Sequence, residues 1–227
     1  MRYYPVFLDI SGRPSVVVGG GKVAERKVIG LLKAGSAVTV ISPRVTVGLK
    51  GLSVRKKIRH IKKGYEKGDL ANAVLVVSAS NSGSVNRAVY EEAAGRNIPV
   101  NVVDDPGCSS FITPSVVDRG SLVVAISTSG KSPALSRKIR LDMDKFLGKE
   151  YEIFTEILGA VRNKLLKNNV KSGKKDKVMD ALVTSPLPEL IREGSTVEIN
   201  GLLRRLIGEG YTLKRLGIEV RKIGGRS

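Results

Sequence analysis

The sequence predicts an α/β protein, in which a Rossmann-type parallel sheet is followed by a small α+β segment and a helical C-terminal domain. Three observations support this fold class. An early apolar run ends in three consecutive glycines, further apolar runs alternate with helical patterns as far as Asp104, and helical periodicity alone continues from Tyr151. Alternation of short strands with helices is typical of parallel sheets with right-handed crossovers.

The first βαβ unit is complete within about 30 residues, as a dinucleotide-binding unit requires. Residues 15–18 are mostly valine and predict a strand, and residues 23–32 carry apolar side chains at helical spacing. Gly35 then ends the helix, and residues 37–41 form a β-branched run that predicts the second strand.

The later elements are predicted from the same two patterns. Parallel strands are expected at residues 58–61, 73–79 and 99–103, with a helix at residues 84–96. A hairpin at residues 111–117 and 121–127 and a helix at residues 134–147 come next. The rest of the chain is expected to be helical, with a basic linker near residues 171–177 and disorder at residues 224–227.

The composition limits the classes of partner. The formal charge of +18, from 39 basic and 21 acidic residues, favours polyanions, either nucleic acid or a small molecule with many carboxylates or phosphates. Aromatic residues make up only 4% of the chain, so platforms for stacking bases are scarce and nucleic acid is not expected. One cysteine and one histidine exclude an internal disulfide and a closed structural zinc site.

No apolar stretch approaches the roughly 20 residues that span a bilayer, and the first residues lack the pattern of a secretory leader. We therefore expect a cytoplasmic protein with no membrane partner.

The glycines belong to a motif that binds dinucleotide phosphates. Gly19, Gly20, Gly21, Lys22, Val23 and Ala24 fit the pattern G-x-G-x-x-A between a predicted strand and a predicted helix. In this pattern the first glycine allows a tight turn, the third allows the pyrophosphate to approach the backbone, and the alanine allows close packing of helix and strand. The free N–H groups at the helix N-terminus then bind the phosphates.

The second strand ends in Ser42, Pro43 and Arg44, where an acidic residue usually binds the adenosine ribose. Arg44 suits a 2′-phosphate, whereas Ser42 and its backbone suit an unphosphorylated ribose, so this pattern leaves NAD and NADP open. Ala79, at the end of the predicted strand 73–79, is a further candidate cofactor contact.

Two carboxylates follow the strand at residues 99–103. Asp104 and Asp105 lie where parallel sheets bind ligands, and one of them could act as a general acid or base. The alternative is that they form an Asp-Asp-Pro turn. Candidate substrate-binding residues are Asn101 on this strand and Ser127, Ser129 and Lys131 in a hydroxyl-rich loop, which could bind an anion or cap the following helix. His60 is expected to be a surface residue, and no metal ligands are assigned.

Several of these segments together resemble the siroheme synthase family of NAD-dependent precorrin-2 dehydrogenases. The residues that carry the resemblance are Tyr4 to Leu8, Val18 to Lys27, Asn101 to Asp104, Ser110 to Ser115, Asp118 to Gly120, and Ser127 to Pro133. They appear in the family's order and cover residues 1 to about 150, whereas the remainder agrees only in its helical character.

The resemblance implies a Rossmann domain at residues 1–112, a dimerisation segment at 113–148 and a helical domain at 149–227, assembled as a homodimer. The implied reaction transfers hydride from precorrin-2 to NAD and gives sirohydrochlorin. By position, Asp104 matches the family's essential aspartate, and Lys22, Val23, Pro43 and Arg44 match its cofactor contacts. The family's preference favours NAD.

Some members of the family also insert Fe²⁺ into sirohydrochlorin. Asp104 could accept pyrrole protons in that reaction, but the sequence has no histidine cluster to deliver iron, so this second activity stays open. Two other classes of function remain as alternatives: a dinucleotide-sensing regulator that binds nucleic acid through its basic helical tail, and a Rossmann oxidoreductase with another substrate.

Overall fold

The computed structural model describes residues 3–223. The chain divides into two compact units, one ending at Thr113 and the other beginning at Pro114. The first unit contains, in chain order, β1 Pro14–Val18, α1 Lys22–Lys33, β2 Ala37–Ile41, α2 Val47–Val54, β3 Arg59–Ile61, β4 Leu75–Ser78, α3 Gly83–Gly95 and β5 Val100–Val102. The predicted disorder of residues 224–227 concerns residues outside this described range.

The five strands of the first unit form one parallel sheet in the order β3-β2-β1-β4-β5. Val18, the last residue of β1, lies beside Ile41 of β2 and Ser78 of β4. The chain therefore adds strands on one side of β1 and then returns to its other side. Parallel sheets bind ligands at the carboxyl ends of the strands where the order reverses in this way. The predicted Rossmann-type sheet is thus confirmed, and its reversal point lies between β1 and β4.

Both faces of this sheet are buried, which explains why its strands are continuous apolar runs. On one face, Val17 and Val77 pack with Ala24 and Val28 of α1 and with Leu49 of α2. On the other face, alternate strand residues pack against α3. Burial of one such aliphatic side chain contributes roughly 1.5–3 kcal/mol, so the two apolar layers hold the strand ends in place.

The second unit begins with an antiparallel hairpin of β6 Ser115–Arg119 and β7 Leu122–Ile126. Its helices are α4 Pro133–Phe146, α5 Glu150–Lys167, α6 Ser172–Val183, α7 Leu187–Glu193, α8 Thr196–Ile207 and α9 Leu213–Leu216. Ile157, Leu182, Ile191 and Leu203, from four of these helices, are fully buried in one apolar cluster. The predicted α+β segment and helical C-terminal part are therefore confirmed.

The Asp118-Arg119-Gly120 sequence has a structural role in this unit. Gly120 has a φ of +65°, which the turn between β6 and β7 requires. The Arg119 guanidinium donates to the carbonyl oxygen of Leu147 at 2.7 Å and to the Asp144 carboxylate at 2.7 Å. Because the last carbonyls of a helix lack partners within the helix, Arg119 completes the end of α4.

Three sequence predictions are wrong. Residues 172–177 of the predicted basic linker lie in α6, because Val178, Met179 and Leu182 pack on the helical core and hold this lysine-rich turn in a helix. The hairpin begins only at Ser115, not at residue 111. His60 is half-buried in β3, where its Nε2 atom donates to the carbonyl oxygen of Ser42 at 2.9 Å.

Helix α2 was not predicted. Its glycines, Gly48 and Gly51, lower helix propensity, and Gly48 packs directly against the Glu25 carboxylate of α1. The sequence does carry a start signal, since the Thr46 hydroxyl accepts from the backbone N–H of Leu49 and caps the helix. Across residues 3–223, no helix is both long enough and apolar enough to cross a membrane.

Candidate active site

Two of the three glycines after β1 are required by the fold itself. Gly19 has a φ of +118°, which residues with a Cβ rarely adopt, and a Cβ there would collide with the backbone carbonyl of Ala79. A Cβ at Gly20 would collide with the backbone carbonyl of Arg44. These two positions therefore bring the turn after β1 against the turns after β4 and β2, at the reversal point of the sheet.

Gly21 is different, because a Cβ there would meet no atom within 4 Å. Its φ is −80°, and it stands at the N-cap of α1 without a side chain that caps the helix. The first N–H groups of a helix lack partners within the helix, and they carry its positive dipole end. The open space beside Gly21 and these donors together fit a dinucleotide pyrophosphate.

The side chains in the first turn of α1 differ in their exposure to solvent. Lys22 is exposed, Val23 is half-buried, and Ala24 is fully buried on the face that packs against the sheet. A small side chain at this position allows close approach of the helix to the strands. The helix is thereby held with its N-terminus at the carboxyl end of β1.

The end of β2 carries the candidate ribose contacts. Ser42 is buried, and its hydroxyl donates to the Arg44 carbonyl oxygen at 2.7 Å. Pro43 and Arg44 are exposed. Ser42 therefore shapes the turn through its hydroxyl proton, while the Arg44 guanidinium is accessible to a phosphate and the turn backbone to a ribose hydroxyl.

The two neighbouring aspartates after β5 have separate roles. The Asp105 carboxylate accepts from the backbone N–H groups of Gly107 at 3.0 Å and Cys108 at 3.1 Å, so it builds the short turn at Pro106–Cys108. Asp104 is exposed and has a φ of +62°. Aspartate and asparagine tolerate this backbone region better than most residues with a Cβ. Both carboxylates are exposed, but Asp105 is engaged in the turn, so Asp104 is the candidate for contact with a ligand at the carboxyl edge of the sheet.

Asp105 also determines the state of the only cysteine. Its hydrogen bonds with the Cys108 thiol and with the Cys108 N–H hold the pKa of the Asp105 carboxyl below its usual value. The same carboxylate, together with burial, raises the pKa of the Cys108 thiol. Because the thiolate is the reactive form of cysteine, this shift disfavours Cys108 as a nucleophile.

Sequence reasoning did not select Lys27, which lies near Asp104. Its ammonium donates to the Asn101 Oδ1 atom at 3.3 Å and to the Thr113 hydroxyl at 2.8 Å. Burial, followed by the nearby charge of Arg26, lowers the pKa of Lys27, and the Asp104 carboxylate opposes that shift. A signal was present, because Lys27 follows the buried Ala24 by three residues and therefore lies on the inward face of α1.

In the hydroxyl-rich loop at residues 127–133, Thr128 and Ser132 form the N-terminal cap of α4. The Ser132 hydroxyl caps α4 by accepting from the N–H of Leu135, and the Thr128 hydroxyl accepts from the N–H of Ser132. The remaining candidates are exposed: Ser127, Ser129 and Lys131. The sequence left two interpretations of this loop, anion binding and helix capping. Ser132 caps the helix, whereas Ser127, Ser129 and Lys131 are accessible to an anion.

Candidate metal ligands are sparse. In the part of the chain from residue 3 to residue 223, no group of three or more histidine, cysteine, aspartate or glutamate side chains is arranged to hold a metal ion. His60 hydrogen-bonds the Ser42 carbonyl oxygen.

Comparison with known proteins gives two family models that match in succession. Residues 6–115 match the model described as putative NAD(P)-binding, which is the sheet domain with the glycine turn and Asp104. Residues 119–143 match the model described as sirohaem biosynthesis protein central, which covers the last residue of β6, all of β7 and most of α4.

Individual relatives agree with these models. The siroheme synthase of Thioalkalivibrio sulfidiphilus is 36% identical over 99% of this chain and 46% of its own length, and that of Methylobacillus flagellatus is 45% identical over 66% of this chain and 32% of its own. The chain thus spans less than half the length of these curated relatives. Among solved structures, SirC, a precorrin-2 dehydrogenase, superposes with a TM-score of 0.75 at 29% identity, covering 92% of this chain and 100% of that one.

Proposed function

The chain belongs to the siroheme synthase family, and we propose that it is an NAD-dependent precorrin-2 dehydrogenase that forms sirohydrochlorin in siroheme biosynthesis. One observation carries the proposal. There is open space at Gly21 in front of the N-terminus of α1. The exposed Asp104 carboxylate lies at the same carboxyl edge of the sheet. The fold around them matches a precorrin-2 dehydrogenase over the whole of that structure.

The reaction removes two hydrogens from the macrocycle, one as hydride and one as a proton. NAD, when bound, accepts the hydride. The Asp104 carboxylate accepts the proton at one of its oxygens and passes it to solvent, which its exposure permits. In this proposal the backbone N–H groups at Lys22 and Val23 bind the pyrophosphate, and Ala79 and the residues 42–44 contact the nucleotide.

The charge of the protein suits this substrate. Precorrin-2 is a small polyanion with many carboxylates, and the net charge of +18 attracts it. We propose that Ser127, Ser129 and Lys131 bind it, with Lys131 forming a charge-assisted hydrogen bond to a carboxylate. Asn101, the fourth candidate, is buried, and both ends of its amide already have hydrogen-bond partners within the protein. The proposal also includes a cytoplasmic location and NAD rather than NADP as the preferred oxidant.

A direct assay tests the reaction and its oxidant. Purified protein, precorrin-2 and either NAD or NADP are incubated without oxygen, and the macrocycle spectrum is followed. The proposal predicts sirohydrochlorin with NAD, more slowly with NADP, and no change without dinucleotide. Fe²⁺ is then added as a substrate, because the relatives are named siroheme synthases. Siroheme formation above the uncatalysed rate would extend the function to chelation, and failure with both dinucleotides would contradict the proposed dehydrogenase.

We further propose that the segment 113–148 forms a homodimer, with a helical domain at 149–227. Support comes from α4, whose exposed Leu135, Ile139 and Phe146 fall on one stripe because successive helical residues turn by about 100°. Val116 on the hairpin is also exposed. Exposed apolar stripes of this kind mark interaction surfaces.

Substitution of Phe146 tests this assembly. Phe146→Glu is expected to convert a dimer into a monomer, because it buries an unpaired charge at the proposed interface. The matched control is Val197→Glu, at an 82% exposed position of α8 outside the stripe. Light scattering after size exclusion measures the mass of each. A monomeric wild type at micromolar concentration, or a dimeric Phe146→Glu protein, would contradict the proposed interface.

A further inference from the structure

We propose that Lys27 is a positioning residue of the proposed dehydrogenase, which clamps both ends of the loop that carries Asp104 to the cofactor-binding helix. The inference rests on the proposed function. It concerns three contacts that no motif assigns: the Lys27 ammonium with Asn101, the same ammonium with Thr113, and its proximity to Asp104.

The geometry of the loop supports a clamp. Asn101 and Thr113 are the two ends of the chain segment that contains Asp104, and one ammonium donates to both. An ammonium has three donors in fixed relative directions, so it holds the two acceptors at a defined separation. Since Lys27 lies on α1, the loop is also fixed to the helix whose N-terminus is proposed to bind the pyrophosphate.

Lys27 also fixes the orientation of the Asn101 amide. The Asn101 Nδ2 group donates to the Phe111 carbonyl oxygen at 3.1 Å, and its Oδ1 atom accepts from Lys27. Both ends of this buried amide therefore have a partner. Without the ammonium, the amide oxygen loses a partner, and an unsatisfied buried acceptor favours rotation of the side chain or movement of the segment.

Stability alone does not account for a lysine here. The position is half-buried on the inward face of α1, and burial lowers the pKa of Lys27, which reflects the cost of desolvating the ammonium. Neither of its hydrogen-bond partners is charged. A methionine side chain is unbranched like that of lysine, is one heavy atom shorter, and packs in apolar surroundings without that cost. The ammonium is therefore better explained by the loop that it holds next to Asp104.

The test compares Lys27→Met with Lys33→Met, a matched change at an exposed position in the last turn of the same helix. In Lys27→Met, amide hydrogen exchange at Ser110 and Phe111 should become faster, whereas exchange within β1 should not change. With precorrin-2 as substrate, kcat/KM should fall about 10- to 100-fold, the effect typical of misplaced reacting groups. The dissociation constant for NAD should stay within about twofold, and Lys33→Met should match the wild type.

Thr113→Val is the second variant, since it removes one acceptor of the clamp and nearly conserves volume. It should lower kcat/KM less than Lys27→Met, because the contact of Lys27 with Asn101 remains. The double variant should be no slower than Lys27→Met alone, because Lys27→Met already breaks the contact that Thr113→Val removes. Unchanged exchange and kinetics in Lys27→Met, or losses of thermal stability, NAD affinity and turnover in the same proportion, would overturn the inference. If the wild type lacks turnover, the proposed function fails, and the exchange comparison alone decides whether Lys27 holds the loop.

Discussion

The Gly21→Val protein is expected to fold as the wild type does and to lose NAD binding. A Cβ at this position meets no protein atom within 4 Å, and its φ of −80° is accessible to valine. The added side chain instead occupies the space in front of the α1 N-terminus, where the pyrophosphate is proposed to bind. Loss of these phosphate contacts amounts to several kcal/mol, and we expect affinity to fall more than about 100-fold.

The matched control for this substitution is Gly30→Ala, further along α1 and also in open space. It should retain NAD affinity and gain up to about 1 kcal/mol of stability, because alanine has a higher helix propensity than glycine. Fluorescence titration with NADH measures affinity, and thermal unfolding shows whether each variant is folded. A folded Gly21→Val protein with normal affinity would show that the pyrophosphate binds elsewhere.

The Asp104→Asn protein is expected to bind NAD normally and to turn over precorrin-2 about 10²- to 10⁴-fold more slowly, the range typical of a lost general acid or base. Asparagine is nearly isosteric and tolerates the φ of +62° as well as aspartate does. The substitution therefore removes the proton acceptor with little change in the backbone. Single-turnover measurement with saturating NAD separates this effect from binding.

Asp105→Asn is the control for Asp104→Asn. Its remaining carbonyl oxygen can still accept from the N–H groups of Gly107 and Cys108, so the turn should persist. Turnover should fall by less than about tenfold, because this residue has a structural role. An equal loss of turnover in the two variants would show that Asp104 has no role distinct from that of Asp105. Unchanged turnover in Asp104→Asn would exclude Asp104 from the reaction.

The sequence contained enough information to predict the parallel sheet of the first unit. The valine run of β1, the glycines after it and the regular alternation with helices are local signals, and each survives in the structure. Local signals fail where tertiary packing decides. The glycines of α2 lower its helix propensity, although Thr46 caps the helix and the buried Leu49 anchors it. The lysines near the start of α6 do not predict a helix either, and α6 is stabilised by an apolar core whose other residues lie far away in the sequence.

The candidate site shows the same division. The need for Gly19 and Gly20 arises from the carbonyls of Ala79 and Arg44, which a glycine pattern does not identify, whereas the openness at Gly21 follows from the motif itself. Lys27 could be placed on the inward face of α1 by counting residues. Its contact with Thr113 spans 86 positions along the chain, so only the folded structure reveals it.

The measurement that tests the central claim most directly is the molar ratio of NADH formed to precorrin-2 consumed under anaerobic conditions, followed by absorbance with the wild type and with Gly21→Val. Hydride transfer to NAD predicts equal amounts of NADH and sirohydrochlorin with the wild type and neither product above background with Gly21→Val. Sirohydrochlorin without NADH, or no reaction by the wild type with either NAD or NADP, would contradict the assignment of this chain as a precorrin-2 dehydrogenase.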